Sequence, residues 1–372
     1  MRIAYVTINI ASEIMHGGVG KKIKNQMGIW HKLGHEALLF SLSPSAIPFP
    51  AGRVFLYKTQ MKSVFDLPRR EFSRITEFKR MFAEIKRYQP DVVYLRFGLY
   101  FYPLHWLFKL APVILETNSN DIVEYRTRGP FFYWMNRLTR NLTIGPASGV
   151  IVPSQDLVDE LYPDGKKKTI IMSNGINMDD IEILPPTENK TPVITLVGSP
   201  GMNWHGVDKL ISLGRLFPDL TINIVGYAKN DVSGDVPPNV RLHGFLGREQ
   251  IREIFMKTDV ASGSLALHRI NVNRISVLKI REALAYGLPI ILANSDTDLE
   301  HVELEAILKI SNYEDNVIQN AERIRKFAYD MIGKRVDINS VAPYLDQRKK
   351  EEKRLEFFYQ VLETWSQKPN DF

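Results

Sequence analysis

Residues 1–20 read MRIAYVTINIASEIMHGGVG, and this stretch decides the first half of the fold. Residues 2–9 are apolar and β-branched with little alternation, which is typical of a strand buried on both faces. A glycine cluster at 17–20 follows, and the next helical stretch ends near Gly34, a residue typical of a helix C-cap. This order of strand, glycine-rich turn and helix predicts the first unit of a doubly wound α/β domain.

The same pattern starts again at residues 191–210, TPVITLVGSPGMNWHGVDKL. An apolar run at 193–197 enters a glycine-containing turn, and a helix is predicted from about Val207. Further apolar runs predict strands at 37–41, 53–57, 91–95, 112–116, 149–152, 169–172, 221–225, 240–242, 260–261 and 288–292. Repeated βα units predict two mostly parallel sheets with helices on both faces.

Length and composition agree with two domains of ordinary size. The chain has 372 residues, of which 24% are charged and 44% hydrophobic, and these are globular values. It has no Cys, which excludes a disulfide scaffold, a zinc finger and a thiol nucleophile. No apolar run reaches the roughly 18 residues of a transmembrane helix, and the N-terminus resembles a first strand rather than a signal peptide.

The net charge of +6 is unevenly distributed. Residues 1–172 hold 24 Lys and Arg against 14 Asp and Glu, whereas residues 173–372 hold 24 against 28. The basic half contains two segments that mix cations with aromatic residues, 69–88 and 126–140. Each segment has two possible interpretations. It is an amphipathic helix whose cations face solvent and whose aromatic residues face the core, or it is a patch that binds an anionic membrane surface. No nucleic-acid-binding motif accompanies them, so nucleic acid is not an expected partner.

Five motifs resemble, in order and spacing, those of the retaining family-4 glycosyltransferases of the GT-B fold. They are HGGVG at 16–20, LGHEAL at 33–38, SNGIN at 173–177, the loop and helix start at 198–210, and LKIREALAYGLP at 278–289. The resemblance covers essentially the whole chain. It implies an α/β protein with two Rossmann-like, doubly wound domains facing across a cleft.

The resemblance also implies that the two domains bind different substrates. Residues 1–172 would form the acceptor domain and residues 173–354 the nucleotide-sugar domain. The C-terminal helix at about 355–372 is a candidate to pack back on the first domain. The expected enzyme is a hexosyltransferase-type glycosyltransferase.

The donor site implied by the resemblance draws on both glycine loops and on the block at 278–289. Lys279 would neutralise the diphosphate, and Glu282 would accept hydrogen bonds from the ribose hydroxyls. From spacing alone, these two residues could instead form an i,i+3 salt bridge on a solvated helix. The glycine loops could likewise be tight turns rather than phosphate contacts. The full set of expected donor residues is Gly17, Gly18, Gly198, Ser199, His205, Arg269, Asn273, Lys279 and Glu282.

One residue departs from the pattern of the resembled family, which has a second Glu eight residues before Glu282. That residue is Arg274 here. It could recognise an acidic donor sugar, or it could replace loop cations that the family often has and this chain lacks. In these two cases Arg274 would join Lys279 as a catalytic residue. The third interpretation is that the protein has lost activity.

Acceptor contacts are expected from Glu116 and Asn118, because they follow an apolar strand at the sheet edge where ligands bind. The alternative is that Asn118, Ser119 or Asn120 caps the next helix. Asp296-Thr297-Asp298 invites a metal interpretation, but such a triplet arises easily by chance. Neither a metal nor another cofactor is expected, because the nucleotide-sugar is a substrate and the resembled fold generally works without metal.

The expected function is retaining transfer of a sugar from a nucleotide-diphosphate sugar to a saccharide acceptor, either lipid-linked or part of a cell-surface glycan. In the resembled enzymes, the leaving phosphate is thought to take the acceptor proton. Two alternatives stay open: a nucleotide-sugar 2-epimerase of the same fold, and a catalytically silent binding subunit. The expected location is the cytoplasm, in solution or peripheral on the inner face of the membrane.

Overall fold

The computed structural model describes residues 1–8, 18–46, 49, 52–57 and 67–367. The chain divides into two compact units. The N-terminal unit comprises Met1–Met172 and Arg348–Phe372, and the C-terminal unit comprises Ser173–Gln347.

The described residues of the N-terminal unit form one parallel sheet. Its strands are β1 (Arg2–Ile8), β2 (Glu36–Ser43), β3 (Gly52–Leu56), β4 (Val92–Arg96), β5 (Val113–Glu116), β6 (Gly149–Val152) and β7 (Thr169–Ile171). The strand order is β3-β2-β1-β4-β5-β6-β7. The accompanying helices are α1 (Gly18–Lys32), α2 (Leu67–Tyr88), α3 (Asp121–Thr127), α4 (Pro130–Thr139), α5 (Asn141–Ile144) and α6 (Gln155–Leu161).

The C-terminal unit has a second parallel sheet. Its described strands are β8 (Val193–Val197), β9 (Thr221–Val225), β10 (Val240–Leu242), β11 (Val260–Ser262), β12 (Ile290–Leu292) and β13 (Ile307–Lys309). They lie in the order β10-β9-β8-β11-β12-β13. The helices are α7 (Val207–Leu216), α8 (Arg248–Met256), α9 (Leu278–Ala285), α10 (Asn316–Gln319), α11 (Ala321–Asp330) and α12 (Ile338–Leu345).

Short 3₁₀ helices connect several of these elements. They span Leu104–Lys109, Met178–Asp180, Asn203–His205, Lys229–Asp231 and Leu267–Ile270.

The last described helix, α13 (Gln347–Ser366), packs on the N-terminal unit. Phe358 is fully buried, and its ring centroid lies 5.7 Å from that of Trp30. The Glu351 carboxylate accepts hydrogen bonds from Trp30 Nε1 at 2.9 Å and from Arg354 Nε at 2.8 Å. Buried polar groups need such partners, so this network fixes the helix against the sheet in one register.

The two sheets confirm the fold class that the βα pattern predicts, and each predicted apolar run overlaps a strand. Gly34 adopts φ +82°, a conformation that glycine accepts without strain, as its C-cap position predicts. β13, a three-residue strand, was not predicted from the sequence.

Each sheet reverses its winding direction once, between β1 and β4 in one unit and between β8 and β11 in the other. Ligands of doubly wound sheets bind beyond the carboxyl ends of the strands at such a switch point. These two places are therefore where a ligand site is expected.

Candidate functional site

Each switch point opens into a cavity within its own unit. The C-terminal pocket, of about 260 Å³, is lined by Val197, His205, Ser262 and Lys279, among others. The N-terminal cavity, of about 520 Å³, lies beyond the carboxyl ends of β1, β4 and β5, and its lining includes Ile8, Arg96, Phe97, Thr117 and Asn118.

The glycine turn after β8 brings two side chains together at the C-terminal pocket. A Cβ atom at Gly198 would lie 2.5 Å from the Tyr227 ring and 2.8 Å from His205 Nδ1. At Gly226, which has φ +93°, a Cβ would collide with the Gly198 carbonyl. Gly198 is therefore required for the packing of His205 and Tyr227, a role that the turn sequence alone does not reveal.

His205 is held as a neutral hydrogen-bond donor. The Ser199 backbone N–H donates to His205 Nδ1 at 3.3 Å, and the Tyr227 hydroxyl lies 2.8 Å from the same atom. Because Nδ1 accepts, the ring proton resides on Nε2. Burial, together with the nearby Lys279 charge, lowers the pKa of His205 to about 4. At neutral pH, His205 can thus donate to a phosphate oxygen but brings no positive charge.

Lys279 supplies a cation to the C-terminal pocket from the first turn of α9. Its Nζ lies 3.4 Å from Ser199 Oγ, and burial lowers its pKa. Val277 is the N-cap residue of α9, and its side chain makes no capping hydrogen bond. The first backbone N–H groups of α9 therefore have no side-chain acceptor at the start of the helix. A helix N-terminus and an ammonium group together favour an anion. The structure thus brings Ser199, His205 and Lys279 together, and their roles toward a donor stay predictions.

Glu282 lies three residues further along α9 but is not among the described residues that line the C-terminal pocket. Its Oε1 is 3.7 Å from Arg248 Nε of α8, and its side chain is 34% exposed. The contact is an exposed ion pair, which holds a side chain only weakly. Glu282 is therefore available at the surface beside the pocket, and its role toward ribose stays a prediction.

Arg269, Arg274 and Asn273 are not among the residues that the structure brings to the C-terminal pocket. Arg274 forms a two-pronged pair with Glu300, at 3.1 Å from Nε and 2.9 Å from Nη2. Arg269 is paired with Asp208 at 2.7 Å and also contacts Glu314. A diphosphate would have to compete with these carboxylates. The donor roles of all three residues stay predictions.

Asn273 is engaged in hydrogen bonds with neighbouring loops. Its backbone carbonyl accepts from the Ser295 N–H at 3.0 Å, and its side-chain oxygen accepts from Asn312 Nδ2 at 3.1 Å. It lines a separate cavity of about 230 Å³ together with Asp296, Glu300 and others.

Arg281 is a residue that sequence reasoning missed. It is fully buried in α9 and pairs with both carboxylates of the 296–298 triplet, with 2.7 Å to Asp298. It also donates to the Asn174 carbonyl at 2.6 Å. The Asp-x-Asp triplet therefore neutralises a buried arginine. Within the described residues, no cluster of three or more His, Cys, Asp or Glu has the arrangement of a metal site.

In the N-terminal unit, Glu116 ends β5 at the centre of a buried charge cluster. Its carboxylate lies 2.9 Å from Lys22 Nζ and 3.3 Å from Arg96 Nη1, and it accepts from the Tyr5 hydroxyl at 3.0 Å. Burial alone would raise the pKa of Glu116, but Lys22, Arg96 and Arg354 hold it well below its ordinary value. Glu116 thus stays ionised and fixes Lys22 and Arg96, the second of which lines the N-terminal cavity.

Asn118 lines the N-terminal cavity, and its Oδ1 accepts from Lys22 Nζ at 2.8 Å. The cap of α3 is Asn120, whose Oδ1 accepts from the Val123 N–H at 3.1 Å. The structure thus selects Asn120 from the three candidates for the capping residue. Gly17 lies outside the described residues, and Gly18 is the first residue of α1.

Comparisons with known proteins agree with this architecture. Residues 16–180 match the family model described as Glycosyltransferase Family 4. Sucrose-phosphate synthase from Thermosynechococcus elongatus is similar in structure, with a TM-score of 0.65 and 14% identity over 98% of this chain and 99% of that one. The apo lipopolysaccharide outer core galactosyltransferase WaaB has a TM-score of 0.65 and 11% identity, over 97% and 100% of the two chains.

A third similar structure is Anabaena Alr3699/HepE in complex with UDP and glucose. Its TM-score is 0.60 and its identity 14%, over 96% of this chain and 99% of that one. At such identities the likeness shows a shared fold. No curated protein sequence matches the chain significantly.

Proposed function

We propose that this chain is a glycosyltransferase, which transfers a hexose, with retention, from a nucleotide-diphosphate sugar to a saccharide acceptor. Residues 16–180 match Glycosyltransferase Family 4, and the chain shares the GT-B fold of solved glycosyltransferases. The observation that carries the proposal is the C-terminal pocket. There Lys279, His205 and the start of α9 line one cavity at a switch point. This is an arrangement suited to a diphosphate.

UDP-glucose is the donor proposed for the first test. The structures of Anabaena HepE hold UDP, UDP with glucose, or UDP-glucose, and their fold is that of this chain. The acceptor is proposed to be lipid-linked or part of a cell-surface glycan under assembly. The N-terminal cavity, at the switch point of the other sheet, is its proposed site.

The chemistry follows from the charge that develops on the leaving group. The bond between the anomeric carbon and the diphosphate oxygen breaks, and the acceptor oxygen forms the new bond to that carbon. Lys279 and the α9 N–H groups stabilise the departing diphosphate, and His205 donates a neutral hydrogen bond to it. The leaving phosphate oxygen takes the acceptor proton, so no side-chain base is required.

The test is incubation of the full chain with UDP-[¹⁴C]glucose, with and without a panel of saccharide acceptors. A labelled glycoside formed together with UDP only when acceptor is present supports the transferase. Conversion of the donor to a second nucleotide-sugar without acceptor would instead identify a 2-epimerase. Binding of UDP with neither reaction would identify the silent binding subunit. The anomeric configuration of the glycoside tests retention.

Glu282→Ala is expected to weaken UDP binding by about 10- to 100-fold, because a hydrogen bond to a charged group contributes roughly 1.5–3 kcal/mol. This expectation assumes that the Glu282 carboxylate accepts hydrogen bonds from the ribose hydroxyls of UDP. Calorimetry with UDP is the measurement. Glu249→Ala, an exposed glutamate at the start of α8, is the matched control and should bind UDP as the parent does. Unchanged affinity in folded Glu282→Ala would remove the ribose assignment.

We also propose that α4 binds an anionic membrane surface. Phe131, Trp134 and Leu138 recur on one face of this helix and are 70%, 61% and 79% exposed. Two cations lie near the helix: Arg137 within it, and Arg126 of α3, whose guanidinium carbon lies 5.1 Å from the centroid of the Tyr133 ring. Aromatic and aliphatic side chains with neighbouring cations are typical of interfacial helices. None of the described helices combines the length and apolar composition of a membrane span.

The other basic segment, in α2, supports the proposal less. Its residues Phe78, Met81 and Ile85 are fully buried in the core of the N-terminal unit, which is the arrangement of an ordinary amphipathic helix. The membrane proposal is therefore restricted to α4.

The triple substitution Phe131→Ser, Trp134→Ser and Leu138→Ser is expected to lower binding to vesicles of phosphatidylcholine and phosphatidylglycerol severalfold, because it removes the apolar face of α4. Raised salt should also lower parental binding, since exposed charges are screened within about 8 Å at physiological ionic strength. Phe245→Ser, at a 93% exposed phenylalanine of the C-terminal unit, is the control. Equal sedimentation with neutral and anionic vesicles would contradict the proposal.

A further inference from the structure

The N-terminal cavity is unusually rich in arginine. Its described lining carries four arginines and two carboxylates, namely Arg70, Arg74, Arg96, Arg128, Asp121 and Glu124. Its volume of about 520 Å³ is within the roughly 300–1,000 Å³ of small-molecule sites.

The two carboxylates are already engaged in local ion pairs. Asp121 is 3% exposed and accepts from Arg140 at 2.8 Å, a residue outside the lining. Glu124 accepts from Arg128 at 2.5 Å and from the Ser119 hydroxyl at 2.9 Å.

Two of the arginines are also paired from outside the lining, Arg96 with Glu116 and Arg74 with Glu71. The case for an anion therefore rests on the geometry of a single side chain rather than on an excess of charge.

Arg74 is the arginine whose geometry indicates a ligand. It is 9% exposed, and its guanidinium carbon lies 4.2 Å from the centroid of the Phe101 ring, which fixes its orientation. Its Nη2 pairs with Glu71 at 2.7 Å, but Nε has no hydrogen-bond partner among the described residues. A buried donor without a partner is costly, and an anion would satisfy it.

We propose that the acceptor of this enzyme carries an anionic group, a carboxylate or a phosphate, and that Arg74 binds that group in the N-terminal cavity. The proposal rests on the proposed transferase function for the identity of the ligand as acceptor. A guanidinium N–H binds a carboxylate or phosphate oxygen through a charge-assisted hydrogen bond, and the unpartnered Nε–H of Arg74 is such a donor. The rings of Tyr57, Phe97, Tyr125 and Phe132, which also line the cavity, provide apolar surface for the sugar itself.

The test is calorimetry of the full chain saturated with UDP, which keeps phosphates out of the C-terminal pocket. The probes are methyl β-glucuronide, glucose 6-phosphate and the neutral methyl β-glucoside. At least one anionic probe is expected to bind roughly tenfold more tightly than the neutral one. A preference for the glucuronide indicates a uronic-acid acceptor, and a preference for the phosphate indicates a sugar-phosphate or lipid-phosphate acceptor. Equal binding of all three probes, or binding of none, overturns the proposal.

Variants assign the preference to Arg74. Arg74→Gln should abolish it, and Arg80→Gln, an exposed arginine of the same helix paired with Glu77, should retain it. If Arg74→Gln does not fold, the second variant is Arg74→Lys, which keeps the positive charge but lacks the Nε–H donor, and an unchanged preference there overturns the proposal. A preference that exists without sugar transfer contradicts only the proposed function, since binding of UDP and of the probes is measured separately from turnover.

Discussion

Replacement of Lys279 by Met is expected to lower kcat for sugar transfer by about 10²- to 10³-fold, the usual cost of losing one group that stabilises a developing anion. Lys279 lines the C-terminal pocket from the start of α9, where burial lowers its pKa. Partial desolvation strengthens its interaction with a diphosphate, because the effective dielectric constant is lower than in water. Met keeps much of the length and apolar character of the side chain but removes the charge.

The measurement is kcat and KM with UDP-glucose and an accepted saccharide, together with calorimetry for UDP. Lys257→Met, at an exposed position just after α8, is the matched control and should behave as the parent does. A fall in UDP affinity with unchanged kcat would show that Lys279 binds the ground state and the transition state equally. An unaltered kcat and an unaltered UDP affinity would exclude it from the site.

Replacement of Glu116 by Gln is expected to destabilise the N-terminal unit by about 3–5 kcal/mol, the typical cost of removing one partner from a buried ion cluster. The substitution keeps size and shape but leaves Lys22 and Arg96 without the charge that compensates them. Hydrogen exchange is the measurement, with loss of protection expected in β4 and β5 and none in the C-terminal unit. Glu124→Gln breaks an exposed pair with Arg128 and should cost less than about 1 kcal/mol.

A double variant separates charge from packing. Lys22→Met in the Glu116→Gln background should recover part of the loss, because it removes one of the uncompensated cations. Additive losses in the double-mutant cycle would contradict the charge argument.

The contribution of Glu116 also has a defined pH dependence. Its pKa in the folded protein lies below that of an unfolded glutamate, which is about 4.3. The stabilisation is therefore complete above about pH 5 and is lost as the pH falls toward the folded pKa. Glu116→Gln should flatten the acid limb of the unfolding curve.

The sequence alone determined which segments form strands and helices, because apolar periodicity and glycine placement act over a few neighbouring residues. The two βα series and the C-cap at Gly34 follow from such local signals. A three-residue strand such as β13 has too few residues to show periodicity, and the sequence did not reveal it.

Only the tertiary structure decided which charged side chains are committed to one another. Arg274 meets Glu300, Arg281 meets the 296–298 triplet, and Glu116 meets Lys22, residues separated by between 15 and 94 positions in the chain. The partner of a long charged side chain depends on which groups the fold brings near it and on how far they are buried. Residue type and sequence spacing predict neither of these. For the same reason Arg74, an ordinary cation of a basic helix in the sequence, became a candidate ligand residue once the fold placed it in a cavity with a buried, unpartnered donor among the described residues.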